Sequence, residues 1–316
     1  MDLIKSPLNY TGNKYRILSQ ITPRFPKQIN CMVDLFCGGA TVGLNVQAKK
    51  VIFVDSNERV IDLLKFLSEQ NFDEFIAACE KIIDKYNLSY SYKYGYSIYR
   101  KKCGNQSDNN GLKDYNSVGF YRLRDDYNAI KNKKSATAIT MLYMLMVYGF
   151  NNDIRFNSDG DFNLPVGKTD LNKMNVEKIR HYIDRVKKME TVFVCASFTD
   201  AIFEYIVASA DFVYMDPPYL LGNAVYNTSW NSDMEHKLLD FIDTLIERRI
   251  NFALSNVLEK VGQVNEPLAY WCHKRQGVID IHHIEYHYRS ASYNKTTRNA
   301  QEQEVLIVNK GYSNED

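Results

Sequence analysis

The sequence predicts an α/β protein: a mostly parallel, doubly wound sheet with an antiparallel C-terminal strand, interrupted by a mainly helical insert. Two strand-turn-helix units follow each other at 31–36 and 51–57, where short apolar runs end in a glycine turn or an acid. This alternation is typical of parallel sheets covered by helices. From Glu58 the apolar residues fall at helical spacing instead, and strand patterns return only at 191–198. The sheet is therefore predicted to be split in sequence.

The first half supplies the strands CMVDLF and VIFVDSN, with a helix predicted for VGLNVQA between them. Two amphipathic helices follow, with apolar positions at Val60, Leu63, Leu64 and Leu67, and at Phe75, Ile76, Cys79, Ile82, Ile83 and Tyr86. Residues 88–120 carry many tyrosines, a basic cluster and an Asn/Gly/Asp stretch that predicts a mobile loop. The run 135–150 is apolar nearly all round, so it predicts a buried helix that is too short to span a bilayer.

The second half begins with a turn-rich hairpin over 151–168 and a helix from Met174 to Val186. The strand TVFVCASF, the helix DAIFEYIVAS and the short buried strand FVYM follow. Ser232 with Glu235 forms a capping-box pattern that predicts the start of another helix. After the strand NFALSN, the extended runs VIDIHHIEYHY and EVLIVN predict an antiparallel pair that closes the sheet.

Composition limits the class of protein. The 316 residues suffice for one large domain with an insert, and the net charge of +1 gives no global sign of a nucleic-acid partner. The six cysteines lack metal-ligand spacing, and no run approaches the roughly 20 apolar residues of a membrane span. The first residues also lack the apolar stretch of a signal peptide. We expect a cytoplasmic protein without a metal and without a membrane partner.

The stretch VYMDPPYL, 213–220, ends a buried strand with an acid, two prolines and an aromatic ring. Proline fixes φ and removes a backbone donor, so the turn is stiff and holds Asp216 and Tyr219 at set positions. Ligands of open α/β sheets bind just beyond the carboxyl ends of the strands. Taken alone, the motif is equally compatible with a turn that carries a solvated acid.

A glycine turn, DLFCGGAT, follows the first strand, and Asp55 ends the next strand about 20 residues later, where an acid typically binds ribose hydroxyls. The turn lacks the third glycine that a diphosphate cofactor favours. A nucleoside without phosphates fits better, and S-adenosylmethionine is one.

Four blocks, SPLNYTGNK, VDLFCGGATVGLN, VDSN and VYMDPPY, occur in this order, with a long insert before the last. Together with YGFNNDIRFNSDGDFNLPVGK and FALSN, they resemble the Dam-type DNA adenine-N6 methyltransferases over nearly the whole chain. The resemblance implies a Rossmann-like methyltransferase fold. It places the catalytic, S-adenosylmethionine-binding domain at 1–58 and 190–316, and the helical target-recognition insert at 59–189, with a DNA-contacting hairpin at 149–168.

The resemblance also implies roles for single residues in binding the cofactor. Asp34, Phe36, Gly38 and Gly39 line its methionine end, Asp55 its ribose and Phe198 its adenine ring, while Tyr10, Gly12 and Lys14 help to hold the methyl donor. The resemblance also implies that Asp216 contributes to the cofactor site. Many relatives have two glycines before the lysine, where this chain has Gly12 and Asn13.

For DNA, the resemblance places Arg155 where relatives read a guanine, and Arg is the usual bidentate partner of that base. Phe150 and Asn151 match positions that relatives push into the base stack. The implied DNA-binding set is Phe150, Asn151, Arg155, Asn157 and Lys168. Candidate phosphate contacts outside the hairpin are Tyr92, Lys93, Tyr94, Arg100, Lys101 and Lys102, and the basic loop 288–298 is a candidate DNA clamp.

The motif Asp216, Pro217, Pro218 and Tyr219 fits the chemistry of an adenine amine, which is a poor nucleophile because its lone pair is delocalised. Asp216 can accept one N–H and the Pro217 carbonyl the other, which stabilises the positive charge that grows on the nitrogen. Tyr219 can stack on a base that has been flipped out of the duplex.

We therefore expect a site-specific DNA adenine-N6 methyltransferase that acts on double-stranded DNA with S-adenosylmethionine, in a restriction-modification or related DNA-marking system of prokaryotic or phage-like context. A cognate restriction endonuclease or a second methyltransferase for the same site is left open. An RNA adenine or a protein glutamine amide is an alternative substrate, although enzymes of the latter group usually have Asn before the prolines. A DNA-binding module without catalysis would show a damaged Asp216, Tyr219 or cofactor turn.

Overall fold

The computed structural model describes residues 3–10, 12–103, 108–221, 230–285 and 302–311. The chain forms two compact units, which are described separately. The helical unit comprises Met1–Asn13, Gly38–Leu44 and Asn57–Lys188, and the sheet unit comprises Lys14–Cys37, Asn45–Ser56 and Met189–Asp316. The limits of a catalytic domain and a target-recognition insert, as predicted from the sequence, are functional assignments and remain a proposal.

The helices and strands of the described residues are numbered in chain order. The strands are β1 Ile29–Leu35, β2 Ala48–Asp55, β3 Glu190–Cys195, β4 Phe212–Met215, β5 Asn251–Lys260, β6 Gln263–Val264, β7 Ile279–His283 and β8 Glu302–Asn309. The α-helices are α1 Leu18–Ile21, α2 Thr41–Asn45, α3 Glu58–Ser68, α4 Phe72–Tyr86, α5 Ser91–Tyr94, α6 Tyr96–Lys102, α7 Lys113–Ala129, α8 Ala136–Tyr148, α9 Lys173–Val186, α10 Ile202–Ala208, α11 Ser232–Glu247 and α12 Glu266–Lys274. Short 3-10 turns occupy Tyr15–Ile17, Thr22–Arg24, Asp108–Asn110 and Phe150–Asn152.

The sheet unit contains one sheet of order β3-β2-β1-β4-β5-β8-β7, with β6 paired to β5. The pairs from β3 to β5 are parallel, whereas β8 runs antiparallel to both β5 and β7. The predicted class, a mostly parallel doubly wound sheet with antiparallel C-terminal pairing, is confirmed. β8 lies inside the sheet, between β5 and β7.

The strand order reverses between β1 and β4, and the register aligns their carboxyl ends. Leu35 is the partner of Val54 on one side and of Met215 on the other. Beyond these pairs, the amide of Cys37 donates to the Val54 carbonyl at 3.0 Å and the amide of Asp216 to the Leu35 carbonyl at 3.4 Å. Both sequence motifs therefore leave the sheet at the switch point, where ligands of such folds bind.

One face of the sheet is covered by α10, α11 and α12, whose apolar residues share a core with inward-facing residues of the strands. On the opposite face, the ring of Phe25 contacts those of Phe212 and Tyr214, with centroid distances of 4.9 and 5.5 Å. β4 is buried along its whole length, which explains its continuous apolar pattern.

The helical unit is built around α8, which is buried from Ala138 to Tyr148 and packs against α3, α4 and α7. Ser135 caps the helix, because its Oγ accepts a hydrogen bond from the Ala138 amide. The prediction of a buried helix here is confirmed. None of the helices in the described ranges is long and apolar enough to cross a membrane.

The helices α5, α6, α7 and α12 were not predicted from the sequence. Within 88–120, the tyrosine-rich and basic part forms α5 and α6, and the loop predicted for the Asn/Gly/Asp stretch falls partly on 104–107, which lie outside the described residues. α7 is a largely polar helix whose apolar side is narrow: Phe120, Leu123 and Tyr127 are buried at i, i+3 and i+7. In α12, Asn265 is the N-cap and accepts from the Leu268 amide. Near the start, the helix predicted for VGLNVQA ends at Asn45, because β2 already begins at Ala48.

The capping box predicted from Ser232 and Glu235 is wrong. Asn231 is the N-cap of α11, with its Oδ1 accepting from the Met234 amide at 3.0 Å. Glu235 is fully buried, and its carboxylate accepts from the Trp230 indole at 2.7 Å. Its other oxygen accepts from the side-chain amides of Asn256 and Asn265 at 3.0 and 2.9 Å. This glutamate therefore serves as the shared acceptor of a buried polar network.

The segment 149–168 reverses direction as a hairpin would. Its antiparallel contacts are two isolated bridges, Gly149 with Val166 and Phe156 with Phe162, and not a continuous ladder. Turn residues dominate the segment, which leaves too few consecutive extended residues for regular strands.

Candidate active site

The Asp-Pro-Pro-Tyr turn of the sheet unit brings three predicted residues together. Oδ1 of Asp216, directly after β4, lies 2.7 Å from the ammonium nitrogen of Lys14 and accepts a hydrogen bond from the Tyr219 hydroxyl at 3.1 Å. The Lys14 ammonium also lies 5.2 Å from the centroid of the Tyr219 ring. Asp216 is thus one partner of a specific ion pair, and the alternative of a turn with a solvated acid is excluded.

Glu304 of β8 is a fourth member of this cluster, which the sequence analysis did not identify. Its Oε1 lies 3.2 Å from the Tyr219 hydroxyl and 3.9 Å from the Lys14 ammonium. The side chain is 4% exposed, and that of Lys14 is 5% exposed. An acid within the otherwise apolar run EVLIVN was the available signal, because buried carboxylates are rare without partners.

The electrostatics of the cluster favour a proton on Asp216 more than in water. Burial raises the pKa of its carboxyl group, while the Lys14 charge and the hydrogen bonds from Lys14 and Tyr219 oppose the rise. Beneath it on β4, the pKa of Tyr214 is raised by burial and by the nearby Asp216 charge. The Tyr214 hydroxyl shares a hydrogen bond of 2.8 Å with Ser255, which fixes the floor of the site.

The glycine turn after β1 has an unusual backbone. Phe36, Gly38 and Ala40 have positive φ angles of 61°, 48° and 62°. Left-handed conformations in non-glycine residues carry strain, and such strain is concentrated at functional sites. The strained backbone of this turn therefore lies at the edge of the sheet where ligands of such folds bind.

Asp34 and Asp55 lie at the carboxyl ends of β1 and β2, and both are buried. Both charges act on Cys37. Burial, followed by the charges of Asp55 and Asp34, raises the pKa of its thiol well above the usual value. Two carboxylates at adjacent strand ends can accept hydrogen bonds from hydroxyl and ammonium groups. This set of acceptors suits the ribose and the amino group of a nucleoside-amino acid cofactor.

Aromatic rings gather at the same edge of the sheet unit. The ring of Phe36 lies 5.6 Å from that of Phe198 and 5.6 Å from that of Trp230, and the last two are 6.0 Å apart. The structure thus brings together two predicted cofactor residues and adds Trp230. Phe198 and Trp230 are buried in the core of the sheet unit, and Phe36 packs against that core while remaining half-buried.

In the helical unit, the amino-terminal segment packs on the glycine turn. A Cβ atom added to Gly38 would lie 2.7 Å from Tyr10 Cδ1, and one added to Gly39 would lie 2.7 Å from Ser6 Oγ. Ser6 also donates from its hydroxyl to the Gly39 carbonyl. Side chains larger than hydrogen would therefore push Tyr10 and Ser6 away, which explains both glycines.

Gly12 has a φ of 83°, whereas Asn13 has no positive φ. The asparagine that replaces the family's second glycine in the amino-terminal block therefore has a backbone conformation that any residue can adopt. This departure from the family pattern has no conformational penalty.

The predicted DNA-binding residues lie in the helical unit, on or beside its hairpin segment. Arg155 is exposed and donates from Nε to Asn163 Oδ1 at 2.7 Å and from Nη2 to the Asn163 carbonyl at 3.2 Å. Asn151 and its neighbour Asn152 both have positive φ, and the ring of Phe150 is 47% exposed. An aromatic ring held outward on a strained turn is suited to contact with bases.

The other members of that set have less specific surroundings. Asn157 is exposed, but its Oδ1 accepts from the amides of Asp159 and Asp161, so this oxygen shapes a turn. Lys168 is exposed, and its carbonyl accepts from the Leu112 amide at 2.9 Å. Both positions orient the backbone of the hairpin.

Of the further basic candidates, Lys101 and Lys102 are exposed on α6, and two others have partners within the helical unit. Lys93 pairs with Glu80 at 3.3 Å, and Arg100 donates to the Gly111 carbonyl at 2.8 Å, so neither side chain is oriented by solvent alone. The loop 288–298 lies outside the described residues. Across the described ranges, no group of His, Cys, Asp or Glu side chains could hold a metal ion.

A mostly parallel sheet of this order, with an Asp-Pro-Pro-Tyr turn next to its switch point, defines the class as Rossmann-like methyltransferases. A family model described as D12 class N6 adenine-specific DNA methyltransferase matches residues 10–298, and the chain belongs to this family.

Named relatives agree with this assignment. The chain is 35% identical to Modification methylase StsI of Streptococcus sanguinis and 37% identical to Type II methyltransferase M.FokI of Planomicrobium okeanokoites. Each match covers 97% of this chain and 43% of the relative, so the chain spans less than half the length of these two proteins. It is 26% identical to DNA adenine methylase of Escherichia coli (strain K12), over 79% of both chains.

Proposed function

We propose that this chain is a site-specific DNA adenine-N6 methyltransferase that uses S-adenosylmethionine and acts on an adenine flipped out of double-stranded DNA. The observation that carries the proposal is the position of Asp216. The family supplies the reaction class, and the Asp216 carboxylate stands at the end of the central strand with its Oδ1 already engaged by two donors.

The reaction needs an acceptor for the adenine amine. When bound, S-adenosylmethionine supplies an electrophilic methyl group whose bonding pair leaves with the sulfur. Asp216 accepts one N–H of the amine and the Pro217 carbonyl accepts the other. These hydrogen bonds draw the lone pair out of the ring and stabilise the positive charge on nitrogen. After the methyl group has been transferred, the nitrogen loses one of its two protons to solvent, which gives the neutral methylated amine. The stacked ring of Tyr219 supports the flipped base.

The residues present fit the proposed cofactor. Asp34 and Asp55 offer buried carboxylates to its ammonium and ribose groups, and the rings of Phe36, Phe198 and Trp230 offer an apolar surface to adenine. We include Tyr10, Gly12, Lys14, Gly38 and Gly39 in the cofactor site on the strength of the family resemblance. The product would be S-adenosylhomocysteine, and the proposed reaction uses no metal.

Two relatives carry the names modification methylase and Type II methyltransferase. We therefore propose that the chain acts in a restriction-modification or related DNA-marking system. A restriction endonuclease with the same recognition sequence, or a second methyltransferase for the same site, is the corresponding partner.

The function is tested by incubating purified protein with S-adenosylmethionine and genomic DNA, then sequencing the DNA to map methylated adenines. We expect N6-methyladenine at one short recurring sequence. Asp216→Ala should lower the single-turnover rate by at least about a hundredfold, the scale for one preorganised electrostatic group. Asp240→Ala, at an exposed carboxylate of α11, is the matched control.

The cofactor assignment has its own test. Calorimetry should show that the protein binds S-adenosylhomocysteine without DNA, and that Asp55→Ala weakens binding by about 1 to 3 kcal/mol, the range for a charge-assisted hydrogen bond. Unchanged affinity would remove Asp55 from the ribose site.

A further inference from the structure

Oδ1 of Asp216 is shared by two neighbours. The Lys14 ammonium lies 2.7 Å from this oxygen, and the Tyr219 hydroxyl donates to the same atom at 3.1 Å. An adenine amine that is to be bound by Oδ1, and not by the second oxygen of the carboxylate, has to compete with both groups. Lys14 and Tyr219 therefore need another hydrogen-bond acceptor when this oxygen of Asp216 binds the substrate.

Glu304 is the acceptor in reach. Its Oε1 already lies 3.2 Å from the Tyr219 hydroxyl, so that hydroxyl can pass from Asp216 to Glu304 by rotation alone. From the Lys14 ammonium the distance is 3.9 Å, and a movement of about 1 Å would bring it to a charge-assisted hydrogen bond. Both transfers need only small motions.

Burial makes this second carboxylate necessary. The side chains of Lys14 and Glu304 are almost completely buried. An ammonium group at such a position is strongly disfavoured once it loses a carboxylate partner, unless another one is close. The cluster contains two carboxylates and one ammonium, so Lys14 keeps an anionic partner in either arrangement.

We infer that Glu304 is a positioning residue that takes over Lys14 and Tyr219 and so frees Asp216 for the adenine amine. This role rests on the proposed function. Glu304 does not touch the reacting atoms, and its effect is exerted through the availability of the Asp216 oxygen and the orientation of the Tyr219 ring.

Glu304→Gln is the primary test, because it keeps the side-chain shape and removes the charge. Single-turnover methyl transfer at saturating S-adenosylmethionine should fall by at least about tenfold, the lower end for a hydrogen bond to a charged group. Dissociation constants for S-adenosylhomocysteine and for DNA should stay within about twofold, since the defect lies in the chemical step. Glu259→Gln is the control: this half-buried carboxylate of β5 accepts from the side chain of Gln303 on β8.

A double-mutant cycle with Lys14→Met separates this role from a merely structural one. If Glu304 acts by receiving Lys14, removal of the ammonium makes the receiver less important. The rate loss caused by Glu304→Gln should then be several times smaller in the Lys14→Met protein than in the parent. A structural defect would instead give the same loss in both backgrounds.

Melting temperatures verify that the variants fold. Should Glu304→Gln not fold, Glu304→Asp, which keeps the charge but shortens the side chain, enters the same cycle with the same expected coupling. Equal rates for Glu304→Gln and the parent, or equal losses in both backgrounds, overturn the inference alone. A parent protein that transfers no methyl group to adenine overturns the proposed function, and the inference falls with it.

Discussion

The Lys14 ammonium and Oδ1 of Asp216 form an ion pair at 2.7 Å, within a site that also holds the Tyr219 hydroxyl and the Glu304 carboxylate. The residue that the amino-terminal block contributes is thus in direct contact with the residue that follows β4. Burial raises the pKa of the Asp216 carboxyl group, and the Lys14 charge opposes that rise.

This relationship gives a prediction for pH. Lys14→Met removes the positive charge that opposes the burial effect, so the already raised pKa of Asp216 rises further. Because only the ionised carboxylate of Asp216 carries the negative charge that stabilises the positive charge on the amine, the acidic limb of the single-turnover pH profile should move to higher pH. The other groups facing Asp216, which are Tyr219, Tyr214 and Glu304, are unchanged in this variant.

The measurement is the single-turnover rate against pH at saturating cofactor, for the parent and for Lys14→Met. Lys101→Met, at an exposed lysine of α6, serves as the charge-matched control and should leave the limb in place. A limb that stays fixed or moves to lower pH in Lys14→Met would show that another group limits the rate.

Tyr219 should separate stacking from hydrogen bonding. Tyr219→Ala removes the ring, and the flipped base loses roughly 1 to 3 kcal/mol of support. A fluorescent adenine analogue at the target position should therefore brighten less on binding. Tyr219→Phe and Tyr219→Trp keep a ring and should recover much of the activity. If the Phe variant is as inactive as the Ala variant, the hydroxyl contacts to Asp216 and Glu304 are the essential ones.

Arg155 should determine one base of the recognition sequence. Arg155→Ala is expected to relax the preference at a single position by about 1 to 3 kcal/mol while leaving the salt dependence nearly unchanged. Asn163→Ala should have a weaker effect of the same kind, because Asn163 orients the guanidinium group. Lys101→Ala should weaken binding to all sequences alike. Equal loss on every sequence variant for Arg155→Ala would contradict a base contact.

Glu235 should be important for stability and not for recognition. Glu235→Ala leaves the Trp230 indole and the amides of Asn256 and Asn265 without their acceptor in a fully buried site. The free energy of unfolding should fall by at least about 3 kcal/mol, since three buried donors lose their acceptor and each costs about 1 to 3 kcal/mol. Urea denaturation measures the difference, with Asp240→Ala of the same helix as the control. A loss below about 0.5 kcal/mol, the level of ordinary surface substitutions, would contradict the network role.

The strands and the main site motifs could be predicted from the sequence because they are local patterns. FVYM is apolar at every position since β4 is covered on both faces, and its limits agree with the structure. The polar α7 and the short α12 were missed, because neither has the wide apolar stripe by which helices are recognised. Ser232 and Glu235 match a capping-box pattern. In the folded chain, however, Glu235 accepts hydrogen bonds from three buried donors, and Asn231 is the N-cap of α11.

The candidate site shows the same division. Asp216 and Tyr219 are named by their own motif, whereas Glu304 reaches the cluster only because β8 is inserted between β5 and β7. Trp230 likewise joins Phe36 and Phe198 through packing. Contacts between residues so far apart in sequence depend on the order of the strands in the sheet. The spacing of apolar residues along the sequence does not predict them.

The position of β8 also bears on how the site is made during protein synthesis. Lys14 precedes the first strand and Glu304 lies in the last described strand, yet their side chains approach each other in the finished sheet. A ribosome releases the amino-terminal residues first, at about 5 to 20 residues per second, and domains fold as units as they emerge. The nascent polypeptide therefore carries Lys14, Asp216 and Tyr219 before the second carboxylate exists. The cluster of Lys14, Asp216, Tyr219 and Glu304 is complete only after β8 has been translated and has paired with β5 and β7.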